Sequence, residues 1–396
     1  MDWDLVVVGA SSAGLYAATE LARAGKRVAV WEQARTLNPA RRTLIVTPHL
    51  WKIFPHLKTP ILLHTIRDLV LASSCTQTRV TLKDPDLIIE RGALIHALAA
   101  EAQAAGVSIF FDRRFCAIES WANGAKIEFQ NAAREKIFVT TRDVIGADGV
   151  FSDVARAVGL QHPPTVPILQ AEIELPHNWN PAVTQVWFDT AETRFFYWLI
   201  PESTTRAVVG LVGDASAQMR HILRRFLERE GFMHSRHAAL AYQGARIALY
   251  EPRLKPATKI GNARVLLVGD AAGHVKVTTV GGTVSGILGA AAAVRALTHN
   301  TAYDKELRAL TLELALHWGM RAALDRLDNR AYDQLVTSVN PRVQEFLSEH
   351  NRDEMAGVAW QLPFLQPGLL ALVPRMLWQT LCGRPPKPTV AMQPQD

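Results

Sequence analysis

The sequence predicts an α/β fold: a parallel strand–helix–strand domain, a separate antiparallel β-sheet domain and a helical C-terminal region. Three observations predict it. A buried apolar run, a glycine turn, a helix and a second buried run follow one another within the first 32 residues. Residues from about 167 to 213 alternate apolar with polar and are rich in aromatic and β-branched side chains, the pattern of an antiparallel sheet. Beyond Thr301 the apolar spacing is helical almost throughout.

Each element follows from local chemistry. Leu5 to Val8 is the first strand, Gly9 to Gly14 the turn, and Leu15 to Ala24 a helix closed by Gly25. Arg27 to Trp31 forms the second strand, and a β insertion is expected around residues 60–90. Arg91 to about Ala105 reads as a helix ended by Gly106. Val107 to Asp112 and alternating runs to about Val139 follow as strands. Gln218 to Glu230 is helical, and Arg264 to Val268 returns to a buried strand. Thr283 to Leu297 is a helix so rich in Gly and Ala that it implies close backbone contact.

Composition narrows the class. With 396 residues, 48% hydrophobic and 20% charged, the chain is globular, neither disordered nor collagen-like. Lys and Arg number 43 against 37 Asp and Glu, and the net +6 is scattered, without the basic tract of a nucleic-acid arm. No nucleic-acid partner is expected. The three cysteines, Cys75, Cys116 and Cys382, form no C-x-x-C or ligand spacing, so neither a disulfide framework nor a metal site is expected. Asp2 and Asp4 precede the first apolar run where a signal peptide needs positive charge, which predicts a cytoplasmic protein. The most membrane-like stretch, Ala359 to Leu381, is broken by Pro363, Pro367 and Pro374. It reads as a surface for peripheral membrane contact or as a docking lid, not as a span.

The chemistry lies in three glycine-rich segments. The first is Gly9-Ala10-Ser11-Ser12-Ala13-Gly14 with Glu32 following 23 residues after Gly9. A helix N-terminus offers unpaired N–H groups and a positive dipole end to a diphosphate. Gly9 permits the tight turn, Ser11 is small enough for close approach, Gly14 lets helix and strand pack, and Glu32 is in range of a ribose 2′-OH. The bland alternative is a structural glycine turn. The second is Gly269-Asp270-Ala271-Ala272-Gly273, then Gly281-Gly282 opening the Gly/Ala helix. An FAD stretched between two segments needs this second anion-facing turn, which nicotinamide enzymes do not; the alternative is an ordinary strand-end turn. The third, Asp143 to Gly149 with Ser152 and Arg156, again sets a carboxylate, Asp148, beside a glycine at a strand end. Asp-Gly alone would be only a β-turn.

In this order and spacing the three segments resemble FAD-dependent oxidoreductases with the aromatic-hydroxylase-type flavin fold, and most of all the geranylgeranyl reductase family. The Gly269–Gly282 stretch resembles that family's G-D-A-A-G-x-V-x-P-x-T-G-G-G loop. Phe196-Tyr197-Trp198-Leu199-Ile200-Pro201 resembles its Y-x-W-x-F-P motif. The resemblance implies a Rossmann-like FAD-binding domain over residues 1–165 and 255–300. It further implies an antiparallel-sheet substrate domain over 166–254, a helical region over 301–383 and a Pro-rich tail over 384–396. It implies that Gly9, Ser11, Ser12, Ala13, Gly14 and Glu32 hold the ADP half of FAD. Arg91 would reach the phosphate–ribityl region, with Asp148 and Gly149 along the cofactor cleft. Gly269 and Asp270 would meet the ribityl chain, and Gly281 and Gly282 the flavin's pyrimidine edge. Phe196, Trp198 and Pro201 would contact a prenyl-chain or lipid substrate. The implied reaction is reduction of carbon–carbon double bonds, with NADPH or reduced ferredoxin as electron donor.

The chain also departs from that family. Val277 and Val280 stand at its usual proline and glycine, and Ala40-Arg41-Arg42-Thr43-Leu44 lacks the Cys-Gly pair of some members. His274 follows the cofactor loop and is a candidate proton donor or a packing residue. Trp198 lines a channel or belongs to the core, and Arg41 and Arg42 meet an anion or only water. The cluster from Phe364 to Trp378 caps a substrate tunnel or meets a membrane. Rival functions are an FAD/NADPH monooxygenase of an apolar or aromatic substrate, a flavin halogenase, and a flavoprotein without catalysis.

Overall fold

The chain folds into two units, each assembled from separated segments. The structure, a computed structural model, describes residues 1–57, 61–214, 216–233, 240–358 and 361–365. The first unit takes residues 1–41, 91–164 and 248–318, and the second takes 42–90, 165–247 and the chain from Gly319.

At the centre of the first unit is strand β1 (Trp3–Val8), its last four residues buried. It pairs in parallel with β2 (Val28–Trp31) on one side and with Lys136–Gly146 on the other, so Val6 lies opposite both Ala29 and Val144. Ala263–Leu267 and Ser108–Phe110 extend the parallel sheet at either side. Such strands are covered on both faces, which is why they read as unbroken apolar runs. Helix α1 (Ser12–Arg23) follows the first turn and ends where Gly25 takes φ +83°. Trp31 stacks on Phe110 and Phe129 at 4.6 and 4.4 Å, beside Val8, Val144, Val265 and Leu267. Burying each such side chain contributes about 1.5–3 kcal/mol. The alternating runs after Asp112 are the antiparallel strands Arg114–Trp121 and Gly124–Gln130, laid on Lys136–Gly146.

The second unit is an eight-stranded sheet. Thr165–Glu174, Arg206–Val212, Tyr197–Pro201 and Val183–Trp187 pair antiparallel in that order, as the alternation predicts. Tyr197 and Leu199 pack toward helix Met219–Arg229, where Tyr197 stacks on Phe226 at 4.1 Å. Strand alternation sends Phe196 and Trp198 to the other face. There Phe196 meets Trp198 at 6.1 Å and Phe188 at 6.5 Å, and Phe188 stacks on Tyr332 at 4.7 Å.

The domain boundaries differ from the sequence expectation. Residues 60–90 are not an insertion of the first domain: Leu62–Ala72 runs parallel to Val183–Trp187, and Gln77–Glu90 pairs with it and with Thr43–Val46. The partner strand lies more than a hundred positions downstream, beyond the reach of any periodicity. Nor is the helical C-terminal region a body of its own, since the boundary between units falls within helix Arg308–Leu324. The Pro-rich tail, Cys382 and, within Ala359–Leu381, residues 359–360 and 366–381 lie outside the described residues; Phe364 is exposed. No helix among the described residues is long and apolar enough to cross a membrane.

Candidate functional site

The first glycine turn is built against backbone. Gly9 holds φ +98°, and a Cβ there would lie 2.6 Å from the carbonyl oxygen of Ala147. Ala147 N–H in turn donates to Val8 O at 2.8 Å, locking the third segment onto the end of β1. A Cβ on Gly14 would sit 2.6 Å from Gly9 O and 2.7 Å from Ala147 Cβ, so α1 approaches β1 as closely as backbones can. The Ser11 hydroxyl accepts from Gly14 N–H at 3.2 Å and caps α1. Ser12 and Ala13 then open the helix with N–H groups that have no intrahelical acceptor. The Glu32 carboxylate closes the turn, one oxygen accepting from Ala10 N–H at 2.8 Å and the other from Ala34 N–H at 2.9 Å. Each oxygen keeps a further lone pair for a ribose hydroxyl.

The second turn meets the first. Gly269, at φ +62°, would place a Cβ 3.2 Å from that of Ala13, and a Cβ on Gly286 would lie 3.3 Å from Gly269 Cα. The Gly/Ala helix, Thr283–His299, thus owes its composition to this contact. Asp270 Oδ1 stands 3.2 Å from the Cβ position of Gly282, which brings the carboxylate to the N-terminus of that helix. The turns at Gly9 and Gly269, 260 positions apart, are therefore joined through Ala13.

Other expected residues fall as follows. Arg91 begins helix Arg91–Ala104, half-buried, with no carboxylate partner among the described residues. Asp148 uses its carboxylate locally: Oδ1 accepts from the Ser152 hydroxyl at 2.6 Å and Oδ2 from Val154 N–H at 3.1 Å, holding the short helix Asp153–Ala157. Burial raises its carboxyl above the usual range against these hydrogen bonds. What segment three offers near Gly9 is its backbone, with Gly149 at φ +85° facing open space. Phe196, Trp198 and Pro201 belong to the second unit, where Trp198 covers Gly210 so closely that a Cβ there would lie 2.3 Å from the indole.

His274 is buried, and burial pushes its imidazole down to about 4, so the ring is neutral at pH 7. It wedges against Gly289, whose Cβ position lies 2.0 Å from Nδ1. This geometry is that of a packing residue that sets the depth of helix Thr283–His299. Sequence reasoning missed Lys276, whose side chain is buried and whose backbone pairs with Gly281 across the loop.

Val280 occupies φ +48°, a left-handed conformation that penalises β-branched residues. It stands where the resembled loop has glycine. Val280→Gly is expected to raise stability by about 1 kcal/mol, read as a higher urea midpoint with unchanged slope. A lower midpoint would contradict this account.

A parallel sheet whose central strand ends in an anion-facing turn, joined to a second Gly-Asp turn and a Gly/Ala helix, defines an FAD-dependent oxidoreductase. The cradle fits the cofactor: a glycine pressed on backbone, an open helix N-terminus, and a carboxylate at the end of β2. The chain matches the family described as FAD binding domain over residues 2–302 and belongs to it. It is 24% identical over 291 residues to digeranylgeranylglycerophospholipid reductase of Methanococcus vannielii, covering 71% of this chain and 73% of the relative. Digeranylgeranylglycerophospholipid reductase 2 of Methanothermobacter thermautotrophicus is 28% identical over 303 residues, 71% of this chain and 74% of that one. In structure the chain is similar to a geranylgeranyl bacteriochlorophyll reductase-like protein from Thermoplasma acidophilum, with TM-score 0.80 and 18% identity. The match covers 93% of this chain and 99% of that one.

Proposed function

We propose that the protein reduces carbon–carbon double bonds of a geranylgeranyl-type chain carried on a diphosphate, a chlorophyll-type ester or a lipid. The observation that carries this reading is the aromatic face of buried Phe196, Trp198 and Tyr332 with half-buried Phe188, which suits a hydrocarbon without polar groups to recognise. The relatives named as digeranylgeranylglycerophospholipid reductases support it.

Bound FAD supplies the hydride; the protein's own residues hold and exclude. The α1 N-terminus would take the diphosphate, Glu32 the adenosine ribose and Asp270 the ribityl hydroxyls. The N–H groups after Gly281 would face negative charge accumulating on the ring. An alkene that nothing polarises needs a dry apolar surround and reacting atoms held about 3–3.5 Å apart. NADPH or reduced ferredoxin would return the electrons.

The test is anaerobic photoreduction of the yellow protein followed by prenyl acceptors. Reoxidation with a product gain of two hydrogens per bond is the expected result. A colourless protein that takes up no FAD overturns the reading. Turnover only with matched oxygen uptake would make the protein a monooxygenase instead.

A further inference from the structure

The reduction needs a proton as well as a hydride, and His274, neutral and wedged against Gly289, is poorly placed to store one. The first unit contains a better-built source. Thr278 lies in the loop between Gly269 and Gly282, half-buried, and its hydroxyl hydrogen-bonds Nδ1 of His317. His317 sits on helix Arg308–Leu324, one turn after Glu313, with Nε2 3.3 Å from Glu313 Oε1. His317 is 3% exposed and Glu313 7%.

Placing a carboxylate and an imidazole side by side in the interior costs desolvation that a surface pair avoids. What the arrangement provides is order. The carboxylate fixes the ring and favours a proton on Nε2, and Nδ1 is left facing the hydroxyl. Carboxylate, imidazole and hydroxyl in sequence form a hydrogen-bonded path along which a proton can pass from the buried pair to the loop. The path begins inside the unit and ends on the loop that carries Asp270, Gly281 and Gly282. Lys276, buried on the same loop, is the other ionisable side chain between these glycines apart from His274 and Asp270.

We propose that Glu313, His317 and Thr278 are a proton relay serving the cofactor loop, with Thr278 Oγ as the exit atom; this rests on the reductase reading. Saturating one double bond takes a hydride, with the electron pair that the reduced flavin would give up in becoming oxidised, and one proton. Thr278 gives that proton to the second alkene carbon as Nδ1 of the imidazolium returns one to its oxygen. The neutral ring, still against Glu313, is recharged by a solvent proton, so the protein is unchanged over the cycle.

The test uses the full-length, FAD-loaded protein, photoreduced without oxygen and mixed with a geranylgeranyl acceptor that reoxidises the wild type. His317→Gln and Thr278→Val are expected to slow acceptor-driven reoxidation by about 100-fold or more, while Thr278→Ser stays within about threefold. FAD affinity, read from flavin fluorescence, is expected to stay within about threefold in all of them. A readout independent of turnover is the nitrogen NMR spectrum of the flavin-free protein. There His317 is expected as the Nε2–H tautomer, and Glu313→Ala is expected to release that preference. Should His317→Gln lose FAD, the Thr278→Val and Thr278→Ser pair decides, since they differ by hydroxyl alone. Variants that reoxidise at the wild-type rate overturn the relay and leave the reductase reading standing. A wild type that binds FAD but is reoxidised by no prenyl acceptor overturns the reading, and the relay with it.

Discussion

Alanine at position 9 is expected to cost the protein its FAD. The added methyl would stand 2.6 Å from Ala147 O and 2.9 Å from Ala147 C, and no flexible side chain is there to move aside. The φ of +98° adds strain of about 1–3 kcal/mol for any residue with a Cβ. Relief requires the end of β1 to part from the segment at Ala147, which tilts the first turn of α1 away from the diphosphate. An affinity loss of at least 100-fold, about 2.7 kcal/mol, is expected in a flavin fluorescence titration. Gly25→Ala is the control: φ is +83°, but nothing lies within 4 Å of its Cβ position. It should lose about 1 kcal/mol of stability and keep its FAD affinity. Wild-type affinity in Gly9→Ala would refute the cradle.

Acid is expected to destabilise the protein in part through His274. Unfolded, this histidine takes a proton near 6.5; folded, burial holds it off until about 4. Between those values the unfolded chain binds more protons than the native one, so stability is whole above pH 6.5 and falls as the pH drops toward 4. The loss amounts to roughly 3 kcal/mol. Urea unfolding at pH 7 and at pH 4.5, compared with His274→Leu, isolates it from the carboxylates. The variant should start less stable at pH 7 because the ring's fit against Gly289 is gone, yet decline less with acid. Parallel declines would show that His274 is exposed or already charged in the native state.

Local signals are legible in the chain and distant ones are not. The succession β1, turn, α1, β2 is written in adjacent residues, and so are the turns at Gly9 and Gly269, because each needs glycine where its own backbone requires it. The Gly/Ala composition of Thr283–His299 announced a close contact without naming the partners, Gly269 and His274. Asp148 was legible as a carboxylate at a strand end, but its capping of Asp153–Ala157 depends on side-chain geometry. Residues 60–90 read locally as an insertion of the first domain because their pairing with Val183–Trp187 lies far downstream. Glu313 and His317 look like any charged pair on a helix, and Thr278 lies 39 positions earlier.

The weaving of the first unit from three stretches of chain has a consequence for synthesis. β1 leaves the ribosome well before one sheet neighbour, Lys136–Gly146, and before the strand beyond that, Ala263–Leu267. At about 5–20 residues per second, the opening strand waits on the order of tens of seconds for its full set of companions. Until Lys136–Gly146 arrives, the edge of β1 away from β2 is unpaired and its glycine turn lacks the Ala147 backbone it closes upon. The nucleotide pocket is thus assembled only after the helix at Thr283–His299 has emerged, and FAD would act as a clasp on segments made far apart in time. A cell short of riboflavin would meet this protein chiefly as a folding problem.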